Sequence, residues 1–217
     1  MNTPDTLSIL TELNRLYPHQ REGMNFLKFE NPYQILIMTI LSAQTTDVTI
    51  NGLRDALFSR YPNPAALAAA EQKEVERIIH PAGFYHIKAK NIIGTAKRLC
   101  ENFGGKVPET IPELITLPGV GRKTANIVTS HAFANPEGIA VDTHVGRLSR
   151  RIGFSDHSNP NKIEADLMKL FSKEWWGDIN YLLISHGRAV CTAKKPACER
   201  CSICIQCRIY QGTIQTP

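Results

Sequence analysis

The stretch LPGVGRKTA, residues 117–125, places a turn with two glycines between two patterns of helical period. Residues 111–117 predict a short helix that ends at the Pro-Gly pair, and a second helix begins near Gly121, so we predict a helix-hairpin-helix at about 111–130. Because Gly119 and Gly121 have no side chain, the backbone can turn tightly there and approach another surface closely. The second helix presents unpaired N–H groups and a positive dipole end. Such a turn suits a DNA phosphate.

Two other phosphate motifs do not fit this stretch. A Walker loop requires glycine directly before its Lys-Ser/Thr pair, but Arg122 precedes Lys123 here, and a dinucleotide fingerprint requires a third glycine where Thr124 stands. The alternative is a glycine cap between two packed helices, with Arg122 and Lys123 in solvent.

The rest of the chain also follows helical period, interrupted by frequent proline and glycine breaks, and no alternating strand pairs occur. The predicted fold class is therefore all-α. A length of 217 residues allows one large domain or two small ones, and the composition changes near Asn135 to Gly138. The net charge of +5 favours an anionic partner without requiring one.

Apolar runs are too short for a membrane protein. The longest, Ile35 to Ala43, is less than half of the roughly 20 residues that span a bilayer, so it predicts a buried helix. The N-terminus shows no secretion or transit signal, and we expect a cytoplasmic protein.

Two residues, one after the turn and one further along the chain, are candidate catalytic residues. Lys123 lies in the first turn of the second helix, and an amine is a nucleophile when it is neutral. Asp142 stands between an apolar run and an arginine-rich helix. An aspartate there is ordinarily an N-cap, although it can also shuttle a proton or stabilise positive charge on a sugar ring.

Five of the six cysteines lie between Cys191 and Cys207, a clustering that favours metal over disulfides in a cytosolic chain. Four of them have the spacing C-x6-C-x2-C-x5-C, and the fifth, Cys204, also continues a C-x2-C series. Thiolate quartets bind iron–sulfur clusters and zinc alike, so the residues alone leave both open.

LPGVGRKTANIV (117–128) followed by AVDTHVGRLSRRIG (140–153) resembles the helix-hairpin-helix and Gly/Pro-Asp segment of the endonuclease III family of DNA glycosylases. ILSAQTTD (40–47), GFYHIKAKNI (83–92) and LLISHGRAVC (182–191) are similar to other signatures of that family, in the same order.

The resemblance implies a base-excision repair enzyme that removes oxidised or damaged pyrimidines from duplex DNA and cleaves 3′ to abasic sites. Lys123 matches the family nucleophile, which forms a Schiff base, and Asp142 matches the assisting carboxylate. The alternatives are a glycosylase for mismatched or deaminated bases with weak lyase activity, and a non-enzymatic helix-hairpin-helix module whose lysine only contacts phosphate.

The resemblance also implies a monomer of two lobes, each contributing one of the two catalytic residues. Residues 25–135 would form a six-helix barrel, and residues 1–24 with 136–217 would form a lobe that carries a [4Fe-4S] cluster. The expected cluster ligands are the four cysteines of the quartet, with Cys204 free: Cys191, Cys198, Cys201 and Cys207.

Further DNA contacts are expected, two of them from the same resemblance and the others from charge. Gln44 matches the residue that fills the gap left by a flipped nucleotide, and Phe84 stands where many relatives carry leucine as a wedge. Lys194 and Lys195 lie on a short loop between two cysteines and can hold ammonium groups against phosphates, as can Arg122 in the hairpin. A core aromatic, a capping amide and solvated charges are the ordinary alternatives for these residues.

Overall fold

The computed structural model describes residues 5–18 and 26–214. Within those ranges the regular structure is entirely helical and contains no strand, which confirms the all-α prediction. None of the described helices combines the length and apolar character needed to cross a membrane. The contacts among described residues divide them into one unit of residues 26–137 and another of 5–18 with 138–214. The predicted boundary at residues 24 and 25 lies outside the described residues.

The unit of residues 26–137 contains the predicted hairpin. Its α-helices are α2 (Pro32–Leu41), α3 (Asp47–Arg60), α4 (Pro64–Ala68), α5 (Gln72–Ile79), α6 (Tyr85–Phe103), α7 (Ile111–Leu114) and α8 (Arg122–Phe133). They follow α1 (Thr6–Leu16) of the other unit.

Helix α2 forms the centre of this unit. Asn31 caps its first turn, Pro32 occupies the first helical position, and every residue from Tyr33 to Leu41 is buried. The helix packs against α8, α3 and α6, while α4 and α5 pack against α6. An apolar run of this length is thus a buried core helix, as its length predicts.

The other unit contains the predicted carboxylate and the cysteines. After α1 its α-helices are α9 (Thr143–Ile152), α10 (Pro160–Leu170), α11 (Trp176–Ala189) and α12 (Arg208–Ile214). Helix α11 packs against α9 and α1, and α12 packs against α9. Short 3-10 turns at Cys198–Arg200 and Cys204–Gln206 carry the chain through the cysteine-rich segment.

The first helix of the hairpin is shorter than the sequence suggests. The helical period continues to Leu117, but α7 ends at Leu114 and the chain then runs through turns, with the N–H of Leu117 donating to the carbonyl of Leu114 at 3.0 Å. The second helix begins at Arg122 with Gly121 as its N-cap, where it was predicted.

Candidate functional site

The turn between α7 and α8 is held in place by α6. The hydroxyl of Thr95 donates to the carbonyl of Pro118 at 2.8 Å. Gly119 has a φ of 76°, and a Cβ built on it would lie 2.9 Å from Nδ2 of Asn91. Both the left-handed backbone and the lack of space require glycine at this position.

Gly121 differs from Gly119 in its physical role. Its φ of −96° is open to any residue, so the expectation that glycine lets the backbone turn tightly does not hold for Gly121. A Cβ there would meet nothing within 4 Å. The space beside Gly121 leaves its backbone open to close approach by a ligand, and Arg122 and Lys123, which follow in the first turn of α8, are exposed.

Asp142 is the N-cap of α9. Its Oδ1 accepts a hydrogen bond from the N–H of Val145 at 2.8 Å, which is the ordinary role expected of an aspartate before a helix. The preceding residues are buried, and the carbonyl of Ala140 accepts a hydrogen bond from Asn180 at 2.7 Å. The cap uses Oδ1 alone, so Oδ2 can still accept a proton or face a cation.

Gln44 and Phe84 share an uncommon backbone conformation. Both lie in the left-handed region, with φ of 56° and 47°, which costs a non-glycine residue roughly 1 kcal/mol or more. Phe84 is 66% exposed and Gln44 is also exposed. The alternative of a core aromatic is therefore wrong for Phe84, and the N-cap of α3 is Thr46 rather than Gln44.

The clustered cysteines line one cavity, whose empty space is about 350 Å³ including the part that is open to solvent. All five cysteines contribute to its lining, and the remaining walls are formed mainly by aliphatic residues: Ile152, Val190, Pro196, Ala197 and Ile203. Cys204 thus adjoins the same space as the expected four ligands. No three of the described His, Cys, Asp or Glu side chains converge as a single metal ion would require.

Burial makes two thiols of this cavity poor acids by themselves. Desolvation raises the pKa of Cys201 to about 11 and also raises the pKa of Cys198. A thiolate set here needs compensating positive charge, which a metal centre supplies.

Arg151 connects the cavity to the loop that carries Lys194 and Lys195. Its guanidinium donates to Sγ of Cys191 at 3.3 Å and to the carbonyls of Thr192 and Ala193 at 2.7 and 2.8 Å. The base of the loop is therefore anchored, and both lysines are exposed on it.

Predicted residues therefore fall into local groups. Gln44, Phe84 and the hairpin with Lys123 belong to the unit of residues 26–137, whereas Asp142, the cysteines and the two loop lysines belong to the other. Sequence reasoning missed Arg151 and the buried Lys88 as structural partners of these groups. Arg151 had a weak signal, since it ends an arginine-rich run before a glycine; Lys88 had none, because lysine is ordinarily exposed.

Comparisons with known sequences and structures found similar proteins. The family model for the HhH-GPD superfamily base excision DNA repair protein matches residues 37–173. Endonuclease III of Synechocystis sp. is 47% identical over 205 residues, covering 94% of this chain and 92% of that protein. Endonuclease III of Escherichia coli is 41% identical over 203 residues and covers 94% of each.

A solved structure of a trapped endonuclease III–DNA covalent intermediate, in an estranged-adenine complex, is similar at 38% identity with a TM-score of 0.88. The likeness covers 99% of this chain and 100% of that chain.

Proposed function

The chain belongs to the HhH-GPD superfamily of base excision DNA repair proteins, and we propose that Lys123 and Asp142 carry out its chemistry. The protein is a DNA glycosylase with associated AP lyase activity of the endonuclease III type. Its partner is double-stranded DNA that contains damaged bases or abasic sites. The observation that carries the residue assignment is an exposed amine, Lys123, in the first turn of α8 directly after the hairpin.

Lys123 acts as the nucleophile. Its neutral Nζ attacks C1′ of the damaged nucleotide, the glycosidic bond breaks, and the base leaves with the bonding electron pair and takes up a proton. Opening of the sugar ring gives a protonated Schiff base between Nζ and C1′. Loss of a C2′ proton then expels the 3′ phosphate by β-elimination, and water hydrolyses the imine to release Lys123.

Asp142 supports these steps as a carboxylate. Negative charge stabilises the positive charge that develops on the sugar as the base departs. The same group can also accept a proton and so assist the proton transfers of the reaction. Because Val145 engages only Oδ1, the helix cap and the chemical role are compatible within one side chain.

The hairpin supplies position rather than chemistry. Backbone N–H groups beside Gly119 and Gly121 and the N-terminus of α8 form a grip for a DNA phosphate, and Arg122 adds positive charge. This grip brings the phosphate backbone next to Lys123, which is the adjoining residue of the same helix. A nucleophile and its anchor thus share one rigid element.

Gln44 and Phe84 fill the space that a flipped nucleotide leaves. Extruding a base costs a few kcal/mol of lost stacking, which inserted side chains recover in part. An exposed phenyl ring and an exposed amide, both on strained backbone, fit the roles of wedge and plug.

The cysteine cavity would hold a [4Fe-4S] cluster through the quartet of Cys191, Cys198, Cys201 and Cys207. Several thiols around one cavity with aliphatic walls suit such a cluster, whose ligands are thiolates. When bound, the cluster would cross-link the 3-10 turns and so fix the loop of Lys194 and Lys195 for contact with phosphates.

Cys204 is the fifth thiol and is not expected to be a ligand. Cys204→Ser is therefore expected to leave the yellow-brown colour intact, and bleaching would reject this ligand choice.

Borohydride trapping tests the lysine assignment. Reduction of a Schiff base links enzyme and DNA covalently, so the wild-type protein should be trapped on a duplex with an abasic site, and Lys123→Ala should not. Lys97→Ala, on the exposed face of α6, controls for loss of one positive charge. Failure of the wild type to trap would favour a DNA-binding module, and trapping by Lys123→Ala would assign the nucleophile elsewhere.

A further inference from the structure

A buried ammonium joins the two loops that carry Gln44 and Phe84. Lys88, on α6, is only 4% exposed. Its Nζ donates to Oγ1 of Thr45 at 2.7 Å and to the carbonyl of Ala82 at 2.8 Å. The Thr45 hydroxyl itself donates to the same carbonyl at 2.5 Å, so the three groups form a closed triangle.

The triangle lies next to both strained positions. Thr45 directly follows Gln44, and Ala82 comes two residues before Phe84. The backbone N–H of Lys88 also donates to the carbonyl of Phe84 at 3.1 Å, as the first hydrogen bond of α6. Left-handed backbone at non-glycine residues persists when its surroundings fix it. Lys88 therefore contacts the segment beside each of the two left-handed residues.

Burying a lysine at this position costs folding free energy, so its hydrogen bonds are the reason to have a lysine there. Burial lowers the pKa of Lys88, which records the cost of removing its charge from water. A methionine would fill the same space without that cost. The two hydrogen bonds between separate loops are what the ammonium adds.

The surface beside the triangle is unusually apolar for an exposed one. Val48, in the first turn of α3, is 83% exposed, and Ile87, in the first turn of α6, is 60% exposed. Together with Phe84 they put three large apolar side chains within four residues of the two strained positions. Exposed apolar groups near a wedge suit contact with unstacked bases.

We propose that Lys88 is a positioning residue for insertion into DNA: its ammonium holds the Gln44 and Phe84 loops at a fixed separation, so that plug and wedge enter the duplex together. The inference deepens the proposed function and rests on it. Lys88 touches no reacting atom, and it acts through the geometry of the two loops.

Lys88→Met tests the inference because it keeps the side-chain length and removes both hydrogen bonds. Insertion is required for an abasic site in duplex DNA but not for one in a single-stranded oligonucleotide. We expect trapping with borohydride to slow about tenfold on the duplex, the effect of losing one to two kcal/mol of hydrogen bonding, and to stay near the wild-type rate on the single strand. Fluorescence of 2-aminopurine opposite the lesion should rise more slowly, since it reports unstacking.

Three further variants separate positioning from general loss of fold. Lys90→Met removes an exposed lysine from the same helix and should trap like the wild type on both substrates. Thr45→Val removes one acceptor and keeps the buried lysine, so it gives a second measurement if Lys88→Met unfolds. In a Phe84→Ala background, Lys88→Met should have little additional effect, because the wedge through which it acts is absent.

The outcomes distinguish this inference from the proposed function. No trapping by the wild type on either substrate would refute the proposed function itself. Wild-type trapping together with an unchanged duplex rate in Lys88→Met and Thr45→Val would overturn the role of Lys88. Equal slowing on duplex and single strand, or full additivity with Phe84→Ala, would also overturn it, because the effect would not pass through insertion.

Discussion

Nε2 of His186 lies 3.4 Å from Sγ of Cys201. On the other side of the ring, the hydroxyl of Tyr17 lies 3.1 Å from Nδ1. Burial raises the pKa of Tyr17, so the phenol stays protonated at neutral pH and is able to donate. As a thiolate ligand of the proposed cluster, Cys201 could only accept, which would place the ring proton on Nε2 and leave Nδ1 to accept from the Tyr17 hydroxyl. The C-terminal end of helix α1 is thereby connected to a proposed cluster ligand through one histidine.

Tyr17→Phe should weaken binding of the proposed cluster. Without the hydroxyl, the proton of His186 is no longer assigned to Nε2, and the bond to Cys201 is lost in part of the molecules. The expected loss of stabilising free energy is about 1 kcal/mol, the typical contribution of one hydrogen bond. Hydrogen bonds to sulfur favour the reduced cluster, so the midpoint potential should fall and the visible colour should bleach faster in air.

Tyr85→Phe is a suitable control for this measurement, since it removes a phenol from the other unit. An unchanged potential and bleaching rate in Tyr17→Phe would show that the tyrosine does not orient the histidine.

His186 should also make stability depend on pH. Burial lowers the pKa of His186 to about 4, below the roughly 6.5 of an unfolded histidine. As the pH falls below about 6.5, the unfolded chain takes up the proton and the folded protein does not, so stability is present above that pH and is lost towards pH 4. Between pH 7 and pH 5 the loss should be about 2 kcal/mol.

Urea unfolding at both pH values measures this loss, with His186→Asn as the comparison because asparagine does not titrate. The difference in unfolding free energy between the two pH values should be smaller in the variant by about 2 kcal/mol. An equal pH dependence in the two proteins would contradict the assignment of a buried neutral histidine.

Sequence patterns predicted those features that are determined by residues within one helical turn. The start of α8 and the cap at Asp142 depend on neighbours within four residues, and both occur where they were predicted. Lys88 escaped prediction because its partner Thr45 lies 43 residues away, and no local pattern marks a lysine for burial. The prediction for Gly121 failed in a different way. Glycine was expected to let the chain turn there, but the φ of Gly121 is open to any residue.

The two glycines of the hairpin should respond differently to alanine. Gly119→Ala forces a left-handed φ on alanine and drives its Cβ against Asn91, so we expect a loss of about 1–3 kcal/mol in unfolding free energy. Gly121→Ala meets neither obstacle, and its stability should stay within about 0.5 kcal/mol of the wild type. Its affinity for duplex DNA should nevertheless fall, because the methyl group separates the backbone from a phosphate.

Thermal unfolding and DNA titration of both variants check this distinction. A Gly121→Ala protein that binds DNA as tightly as the wild type would remove that glycine from the phosphate grip.

Asp142 combines a cap with a proposed chemical role, and two substitutions separate them. Asparagine caps helices about as well as aspartate, so Asp142→Asn should keep its stability and lose roughly 10²–10⁴ in the rate of base excision. Asp142→Ala should lose the same activity and also about 1 kcal/mol of stability, because the N–H of Val145 loses its acceptor. Normal excision by Asp142→Asn would leave the residue as a cap alone.

The anchored loop of Lys194 and Lys195 should contribute to DNA affinity through charge. Each phosphate that a lysine neutralises releases counterions, and the logarithm of the binding constant falls with the logarithm of salt by about 0.9 per contact. Replacing both with glutamine should therefore reduce that slope by nearly 2, with affinity lost on undamaged and damaged duplex alike. Lys162→Gln with Lys169→Gln makes the same charge change on the exposed face of α10. If that control lowers the slope equally, the effect comes from net charge, and the loop makes no particular contact with the phosphate backbone.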